Sequence, residues 1–284
     1  RSGNCRGDKM ILIDMHVHST FSDGTLSVEA IARAAKRRHL SLISLTDHDT
    51  TSGLRPFTEA CRTNGIAGLC GIELSAEAGY TLHILGFRIT PGARELEKRL
   101  AEIRKYRDNR NVEICEKLQK SGMDIKVEDA AAISNGEVVA RPHIARLMVQ
   151  RGYVSSNAEA FIKYLGIGGS AYVPRVRLSA EECVQLIADA GGVAVLAHPA
   201  QTKLDDESLK KLLCRLKEAG LWGLEAVYSG HSPEQIYNYL SLCDEFGLFP
   251  TAGSDFHGSN SPGIDIGMAV SEDFLPWARL GINI

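Results

Sequence analysis

The sequence predicts an α/β protein in which a parallel sheet or (β/α) barrel is interrupted by a helical insertion. Short apolar strands alternate with helices in the first and last parts of the 284-residue chain, as is typical of parallel sheets and barrels. Between them, about eighty residues show helical patterning and hardly a strand signal. We therefore expect an α/β domain of residues 10–92 and 172–284 and a helical insertion of residues 93–171. Residues 1–9 are polar and patternless, and we interpret them as a tag or an extended start.

The composition is that of an ordinary globular enzyme. Hydrophobic residues make up 44% and charged residues 24%, and a net charge of −3 argues against a stable duplex nucleic-acid partner. Seven dispersed cysteines without a Cys-x-x-Cys pair predict a reducing compartment and no thiolate zinc site. The absence of a signal peptide or a membrane-length apolar run favours a cytoplasmic protein without a membrane partner. The composition leaves the oligomeric state open.

Before the insertion, the predicted order is strand, helix, strand, helix, strand, strand. Ser27 resembles a helix N-cap, because its hydroxyl can accept a hydrogen bond from a free backbone N–H group. The apolar positions predict strands at 10–13, 40–45, 66–72 and 80–87, and helices from Ser27 to about Arg38 and at 52–64.

The predicted insertion opens with a long, charge-rich helix at about 94–120, which Ser121-Gly122 ends with a C-cap signature. Past Pro174 the alternation of strands and helices resumes. Shorter helices are predicted near 127–134, 141–151 and 156–165, later helices at 179–190, 205–219 and 233–246, and later strands at 193–197, 223–228 and 248–252.

The stretch Asp14-Met-His-Val-His-Ser-Thr-Phe-Ser-Asp-Gly contains the first residues that indicate chemistry. It follows an apolar strand, and alternate residues of a strand share a face, so His16 and His18 point the same way. With Asp23 in the following turn, they resemble part of a metal site. A His-x-His pair alone can equally be a strand cap and a solvated histidine, so the other histidines must decide.

Six histidines and three carboxylates form a candidate metal cluster: His16, His18, Asp23, His48, Glu73, His83, His198, Asp255 and His257. Except for His83, which lies inside its predicted strand, each is at or just after the carboxyl end of a strand, where barrel active sites are built. Each alone has another explanation, such as an N-cap for Asp255 or a solvated loop for His48. Nine at matching positions favour one shared site, because so many imidazoles and carboxylates need partners.

The types of ligand limit which metals can bind and which reaction they can support. Nitrogen and oxygen ligands without thiolates suit manganese, iron or zinc better than magnesium or calcium. Nine ligands exceed what one ion accepts, and clustered divalent ions lower the pKa of a shared water and neutralise phosphate charge. The sequence therefore predicts several divalent ions and a phosphate ester as substrate.

Five motifs together resemble the polymerase and histidinol phosphatase (PHP) family: Asp14-x-His-x-His-Ser-x-x-Ser-Asp-Gly, Leu45-Thr-Asp-His-Asp49, Gly71-Ile-Glu73, Ala197-His-Pro199 and Gly253-Ser-Asp-Phe-His257. They occur in family order over nearly the whole α/β portion. The insertion and its Arg141-Pro-His-Ile-Ala145 segment resemble one branch, the nucleoside 3′,5′-bisphosphate phosphatases, which also includes 5′ to 3′ trimming ribonucleases.

This resemblance implies a distorted seven-stranded (β/α) barrel with a trinuclear metal centre, for which manganese is favoured over iron or zinc. It implies a first ion held by His16, His18, Glu73 and Asp255, a second held by Glu73, His83 and His198, and a third held by Asp23, His48 and His257. The ligands of the first ion are the implied catalytic residues, because a hydroxide between the first two ions would attack the phosphate.

Other residues are expected to bind substrate phosphate. Arg141 and His143 begin a predicted helix whose free N–H groups favour an anion, and the alternative for Arg141 is a solvated helix-start charge. His231 follows a strand and fits a phosphate contact, a tenth ligand or a loop cap. Three arginines recur at every third position of the long helix: Arg104, Arg107 and Arg110. They form either a solvated charged face or, if they face the barrel rim, a surface that binds phosphate.

The expected reaction is hydrolysis of a nucleoside 3′,5′-bisphosphate to the 5′-monophosphate and phosphate, with the second phosphate bound by Arg141 and His143. Removal of 5′-terminal nucleotides from short RNA is an alternative, because that end also presents a phosphate beside a phosphodiester. A histidinol-phosphate phosphatase is disfavoured by the Arg141 segment. A metal-stabilised binding module without turnover is the alternative from another class.

Overall fold

The computed structural model of the protein describes residues 9–134, 139–174 and 176–282. Residues 1–8, most of the segment interpreted as a tag or an extended start, lie outside the described residues. The chain divides into two compact units, the first running to Glu97 and again from Leu178, and the second comprising Lys98–Arg177. The predicted insertion, 93–171, begins and ends a few residues earlier.

The first unit contains one eight-stranded sheet, whose strands are β1 (Met10–Val17), β2 (Leu42–Leu45), β3 (Ala67–Ser75), β4 (His83–Phe87), β5 (Val193–Leu196), β6 (Gly223–Tyr228), β7 (Phe249–Gly253) and β8 (Met268–Ser271). The described helices are α1 (Val28–Arg37), α2 (Leu54–Asn64), α3 (Arg94–Lys120), α4 (Val127–Ser134), α5 (Arg141–Gln150), α6 (Asn157–Ala160), α7 (Ala180–Asp189), α8 (Asp206–Glu218), α9 (Pro233–Phe246) and α10 (Trp277–Leu280).

The sheet curls into a nearly closed barrel. Its strand order is β7-β6-β5-β4-β3-β2-β1-β8, and the end of β1 meets the residues after β7, where the His18 amide donates to the Phe256 carbonyl at 2.9 Å. The α/β barrel class predicted by the sequence is therefore confirmed. The sheet has one strand more than the seven that the resemblance implies. The additional strand is β8, which has four residues and runs antiparallel to β1.

Strand β4 runs antiparallel to both of its neighbours, β3 and β5. The sequence prediction placed His83 inside a strand at 80–87, whereas the structure makes His83 the first residue of β4. Because β4 is reversed, its amino end lies beside the carboxyl end of β3, where His83 pairs with Ser75. The one candidate ligand that did not follow a strand therefore reaches the same rim as the others.

Local sequence signals explain where the helices of the first unit begin and end. The Ser27 hydroxyl accepts a hydrogen bond from the Ala30 amide at 3.3 Å, which confirms the predicted N-cap of α1. Helix α1 buries Ile31, Ala32 and Ala35. Helix α2 ends at Gly65, whose φ of 69° is the left-handed conformation that glycine adopts without a steric penalty.

The second unit has a hydrophobic core of its own. Helices α3 and α5 contribute buried apolar side chains to it, among them Ile114, Leu118, Ile144 and Met148. The helix predicted near 156–165 consists of the short α6 followed by a π-helical turn at Phe161–Leu165. No helix in the described ranges combines the length and the apolarity needed to cross a bilayer.

Candidate metal centre

Glu73, near the end of β3, lies at the centre of the candidate site. The residue is fully buried, and its two carboxylate oxygens face five imidazoles. Its Oε2 lies 3.3 Å from His16 Nε2, 3.2 Å from His18 Nε2 and 3.0 Å from His48 Nδ1, and its Oε1 lies 2.8 Å from His83 Nδ1 and 3.0 Å from His198 Nε2.

The structure brings all nine candidate ligands together at this end of the barrel. Three sets have ligand atoms within 4.8 Å of one another: His16, His18, Glu73 and Asp255; His48, Glu73 and His83; and His18, Asp23, His48 and His257. The first set has the four residues that the resemblance implies for the first ion. The third set contains the three implied residues and adds His18. His198 contacts Glu73 without joining the set that contains His83, so the distribution of ligands among ions stays a prediction.

Unpartnered polar atoms show that this cluster fits a cation. Within the described part of the chain, five of the cluster's buried atoms have no hydrogen-bond partner: His16 Nε2, His18 Nε2, His48 Nδ1, Glu73 Oε2 and His198 Nδ1. Buried polar atoms are normally paired, because losing water without a new partner costs free energy. Imidazole nitrogens and carboxylate oxygens without thiolates are a donor set suited to divalent transition ions.

The electrostatics of the cluster couple imidazoles to carboxylates. Burial alone raises the pKa of Glu73, but His48, His83 and His16 together hold that pKa well below its usual range. Burial alone lowers the pKa of His48, but the carboxylates of Glu73 and Asp23 raise it to about 10. The imidazole of His48 and the carboxylate of Glu73 therefore stabilise each other's charged forms.

Metal binding should tighten as pH rises, because a ligating imidazole must lose its proton. The folded-state pKa of His48 lies above its ordinary value of 6.5, so proton competition persists from pH 6.5 to about 10. The same shift stabilises the metal-free fold below pH 6.5, and this stabilisation is lost as pH rises through about 10. Calorimetric titration with Mn²⁺ across this range, in buffers of different protonation enthalpy, should show proton release. A pH-independent affinity would contradict this prediction.

Two buried carboxylates that the sequence analysis did not select hold the ligands in place. Glu225 on β6 is fully buried, accepts a hydrogen bond from His16 Nδ1 at 3.0 Å and accepts another from the His198 amide at 2.7 Å. A proton on His16 Nδ1 leaves its Nε2 lone pair free for an ion. Asp14 accepts hydrogen bonds from the amide and the hydroxyl of Ser254, which joins β1 to the segment after β7. The sequence contains one feature that could have identified Glu225, because this acidic residue lies inside a predicted apolar strand.

Replacing Glu225 by glutamine should weaken metal binding by about 10- to 100-fold, the range found for partners that orient a ligating histidine. The amide keeps the shape of the side chain but cannot accept from both His16 and His198 as a carboxylate does. Equilibrium dialysis against Mn²⁺ measures the effect. Glu234→Gln, an exposed acidic position on α9, is the matched control and should bind metal like the parent protein.

Two of the candidate ligands have strained backbones. His198 has a φ of 24° and Asp255 a φ of 58°, both in the region that favours glycine. Hydrogen bonds hold these conformations, since the Asp255 amide donates to the His16 carbonyl at 2.9 Å and the His198 amide donates to Glu225. The backbone turns sharply after β5 and after β7, and these turns carry both side chains to the cluster.

Tyr228, the last residue of β6, and His231, three residues further on, lie beside the cluster. The Tyr228 hydroxyl donates to Asp255 Oδ2 at 3.2 Å and accepts from Gln201 Nε2 at 2.9 Å. His231 Nδ1 donates to the Ala226 carbonyl at 3.1 Å, and its ring centroid lies 4.9 Å from that of Tyr228. His231 belongs to none of the three ligand sets found among the described residues. Its role as a phosphate contact stays a prediction.

Exposure shows which side of the cluster meets solvent. The side chain of Glu73 is 1% exposed and that of His16 is fully buried, whereas the side chain of Asp23 is 48% exposed and that of His48 is 25% exposed. Asp23 and His48 therefore form the more exposed side of the cluster.

Within the second unit, Arg141 and His143 lie at the start of α5, as predicted. His143 Nδ1 accepts a hydrogen bond from the Ala140 amide at 3.1 Å, so this nitrogen caps the helix. Arg141 Nη1 donates to the Leu165 carbonyl at 2.9 Å, and its guanidinium lies 5.8 Å from the centroid of the Tyr172 ring.

Comparisons with known proteins agree with the motifs. The family model described as the PHP domain matches residues 14–163. The chain is 36% identical over 273 residues to the 3′,5′-nucleoside bisphosphate phosphatase of Chromobacterium violaceum, covering 95% of both chains. It is 33% identical over 260 residues to the 5′-3′ exoribonuclease Rnm of Escherichia coli, covering 90% of this chain and 88% of the relative.

A solved structure shows the same fold. A Chromobacterium violaceum amidohydrolase with bound sulfate and no metal superposes with a TM-score of 0.77, at 34% identity and over 95% of both chains. The family model covers more than half of the sequence, and the matched range contains six of the nine candidate ligands, His16, His18, Asp23, His48, Glu73 and His83. The chain belongs to the PHP domain family.

Proposed function

We propose that this protein is a metal-dependent phosphoesterase that converts a nucleoside 3′,5′-bisphosphate to the 5′-monophosphate and phosphate. The observation that supports this most strongly is the buried cluster around Glu73, in which all nine candidate ligands meet. The phosphatase of Chromobacterium violaceum, similar over 95% of both chains, supports the nucleotide substrate.

Three ligand sets are consistent with three divalent ions, for which manganese is favoured and iron or zinc are alternatives. When bound, such ions would lower the pKa of water and neutralise charge on the phosphate under attack. His16, His18, Glu73 and Asp255 would hold one ion, Glu73, His83 and His198 a second, and Asp23, His48 and His257 a third.

Residues of the chain set the geometry of this reaction. Glu225 fixes the tautomer of His16 through its 3.0 Å hydrogen bond. Asp47 accepts hydrogen bonds from the hydroxyls of Ser19 and Ser22, at 2.7 Å and 2.6 Å, and so orders the loop that carries Asp23. Because the Asp23 side of the cluster is the exposed one, we place the entering phosphate there.

The second phosphate of the substrate is assigned to Arg141, with His143 at the same helix start. A guanidinium can donate two parallel hydrogen bonds to a phosphate. The helix N-terminus adds partial positive charge. This assignment predicts that bisphosphates are preferred to substrates with a single phosphate.

Trimming of short RNA from its 5′ end is the second candidate activity. The Escherichia coli relative, 33% identical, is a 5′-3′ exoribonuclease. A 5′-phosphorylated RNA end offers the same pair of groups, one phosphate to anchor and one phosphodiester to cleave.

The test is the activity of the manganese-loaded protein on a panel of nucleoside 3′,5′-bisphosphates, nucleoside monophosphates, histidinol phosphate and a 5′-phosphorylated oligoribonucleotide. We expect kcat/KM to be about tenfold or more higher for bisphosphates than for monophosphates. A monophosphate has no second phosphate, so it loses a charge-assisted contact. Equal turnover of both classes would contradict the assignment of the second phosphate. No turnover of any substrate would favour a binding module.

A further inference from the structure

Arg110, in the long helix α3, is a buried charge. It is only 9% exposed, although the spacing of Arg104, Arg107 and Arg110 allowed a solvated face. Its Nη2 donates to the side chain of the next residue, Asn111, at 3.1 Å. Its Nε is buried without a hydrogen-bond partner among the described residues. Arg110 therefore has donor capacity that the described part of the protein does not use.

Arg141, in the same unit, has the same property. Its Nη1 is held by the Leu165 carbonyl and its guanidinium is set over Tyr172, but its Nε is buried and unpartnered. The two arginines lie near each other, because Asn111, which accepts from Arg110, donates from its Nδ2 to the Val139 carbonyl at 2.8 Å, two residues before Arg141. Burial and the neighbouring charge of Arg141 together lower the pKa of Arg110 to about 10. Arg107 and Arg177 add to the same positive field.

No carboxylate in the described ranges forms an ion pair with Arg110 or Arg141. A buried guanidinium beside a second, half-buried one costs free energy unless an anion offsets their charge. If these arginines had only a structural role, the cost of burying their charge would be offset by a paired carboxylate or by hydrogen bonds from all of their N–H groups. Neither is present within the described residues for these two side chains.

We propose that Arg110 and Arg141 form a binding site for a phosphate dianion within the second unit. The site would use the free Nε donors of both arginines and the N-terminus of α5, a ten-residue helix. The inference rests on the proposed function only where it identifies this anion as the uncleaved phosphate of the substrate. Arg110 is then a specificity-determining residue that the sequence motifs do not reveal, and His143 positions Arg141 by capping the helix.

Phosphate binding can be measured without the metal centre. The full-length protein is treated with a chelator, its circular dichroism is checked, and inorganic phosphate and a nucleoside 5′-monophosphate are titrated by calorimetry. We expect Arg110→Gln and Arg141→Gln each to weaken binding about tenfold or more, since a hydrogen bond to a charged group is lost. Arg146→Gln removes an exposed charge from the same helix α5 and should leave binding unchanged. Equal binding by all three variants would overturn the proposal.

Thermal unfolding separates a binding role from a structural one. Without anions, Arg110→Gln should raise Tm, because it removes a buried charge that lacks a carboxylate partner, and added phosphate should stabilise the parent protein but not the variant. A structural arginine would behave in the opposite way. A lower Tm for Arg110→Gln together with unchanged phosphate stabilisation would therefore contradict the site.

Kinetics identify the source of the anion. If the bound dianion is the substrate's second phosphate, Arg110→Gln should raise KM for a nucleoside 3′,5′-bisphosphate about tenfold, and the ratio of kcat/KM for the bisphosphate to kcat/KM for p-nitrophenyl phosphate should fall by about the same factor. An unchanged KM with lost phosphate binding would assign the site to a free anion and overturn the substrate role. Arginine-dependent phosphate binding in a protein that hydrolyses no bisphosphate would contradict the proposed function and leave this site standing.

Discussion

Replacing Glu73 by glutamine is expected to abolish most of the phosphoesterase activity, with a fall in kcat/KM of about 1000-fold. The carboxylate faces five imidazoles within 3.3 Å and belongs to two of the three ligand sets. A metal cluster contributes several kcal/mol to the stabilisation of a transition state, and each 1.36 kcal/mol corresponds to a factor of ten. Bound manganese, measured by elemental analysis, should fall in parallel.

The matched control for Glu73→Gln is Glu77→Gln, which removes an equal charge from an exposed position shortly after β3. It should retain both manganese and activity. The Glu73 variant is expected to fold, because glutamine preserves the shape and volume of the side chain. Circular dichroism checks this. A folded Glu73→Gln protein with full metal content and full activity would refute the assignment of this centre.

Gly253→Ala is expected to destabilise the fold and weaken metal binding by displacing His16 and Glu225. A Cβ at this position would lie 2.6 Å from Glu225 Oε1 and 3.0 Å from the His16 backbone nitrogen, and it would collide with the Cβ of His16. The His16 backbone belongs to β1, which is paired with both β2 and β8, so it cannot move aside as the end of a flexible side chain can. We expect a loss of about 1–3 kcal/mol in the free energy of unfolding, as for other overpacked cores. Metal affinity should fall about 10- to 100-fold, because His16 and Glu225 must separate.

Gly79→Ala adds the same methyl group where no atom lies within 4 Å, and it should change neither quantity. Denaturant unfolding measures the stability, and equilibrium dialysis against Mn²⁺ measures the affinity. Equal values for Gly253→Ala and the parent protein would show that the space behind His16 is less restricted than the structure indicates.

The sequence motifs predicted the family and the enzyme class, and the comparisons confirm both. This was possible because metal-ligand chemistry restricts residue type severely. An imidazole pair after a buried strand, followed by further histidines and carboxylates at strand ends, has few other uses. The α/β class was readable for a similar reason, since buried strands and amphipathic helices have different periodicities.

Residues that support the ligands were harder to predict. Glu225, Asp14 and Tyr228 act through hydrogen bonds to residues distant in sequence, such as the 209-residue separation between His16 and Glu225. Such contacts leave no local pattern. Glu225 was nevertheless detectable in principle as an acidic residue in an apolar strand, and Tyr228 stands at the end of β6, a position that the strand-end rule covers.

The sequence by itself determined which residues have metal-ligating chemistry and which segments form strands and helices, because residue type and periodicity are local properties. Only the tertiary structure decided the reversed direction of β4, the sharing of Glu73 among five imidazoles and the burial of Arg110. These features depend on which distant segments become neighbours. That choice follows from the summed packing and hydrogen bonding of the whole chain, and no single stretch of sequence contains it.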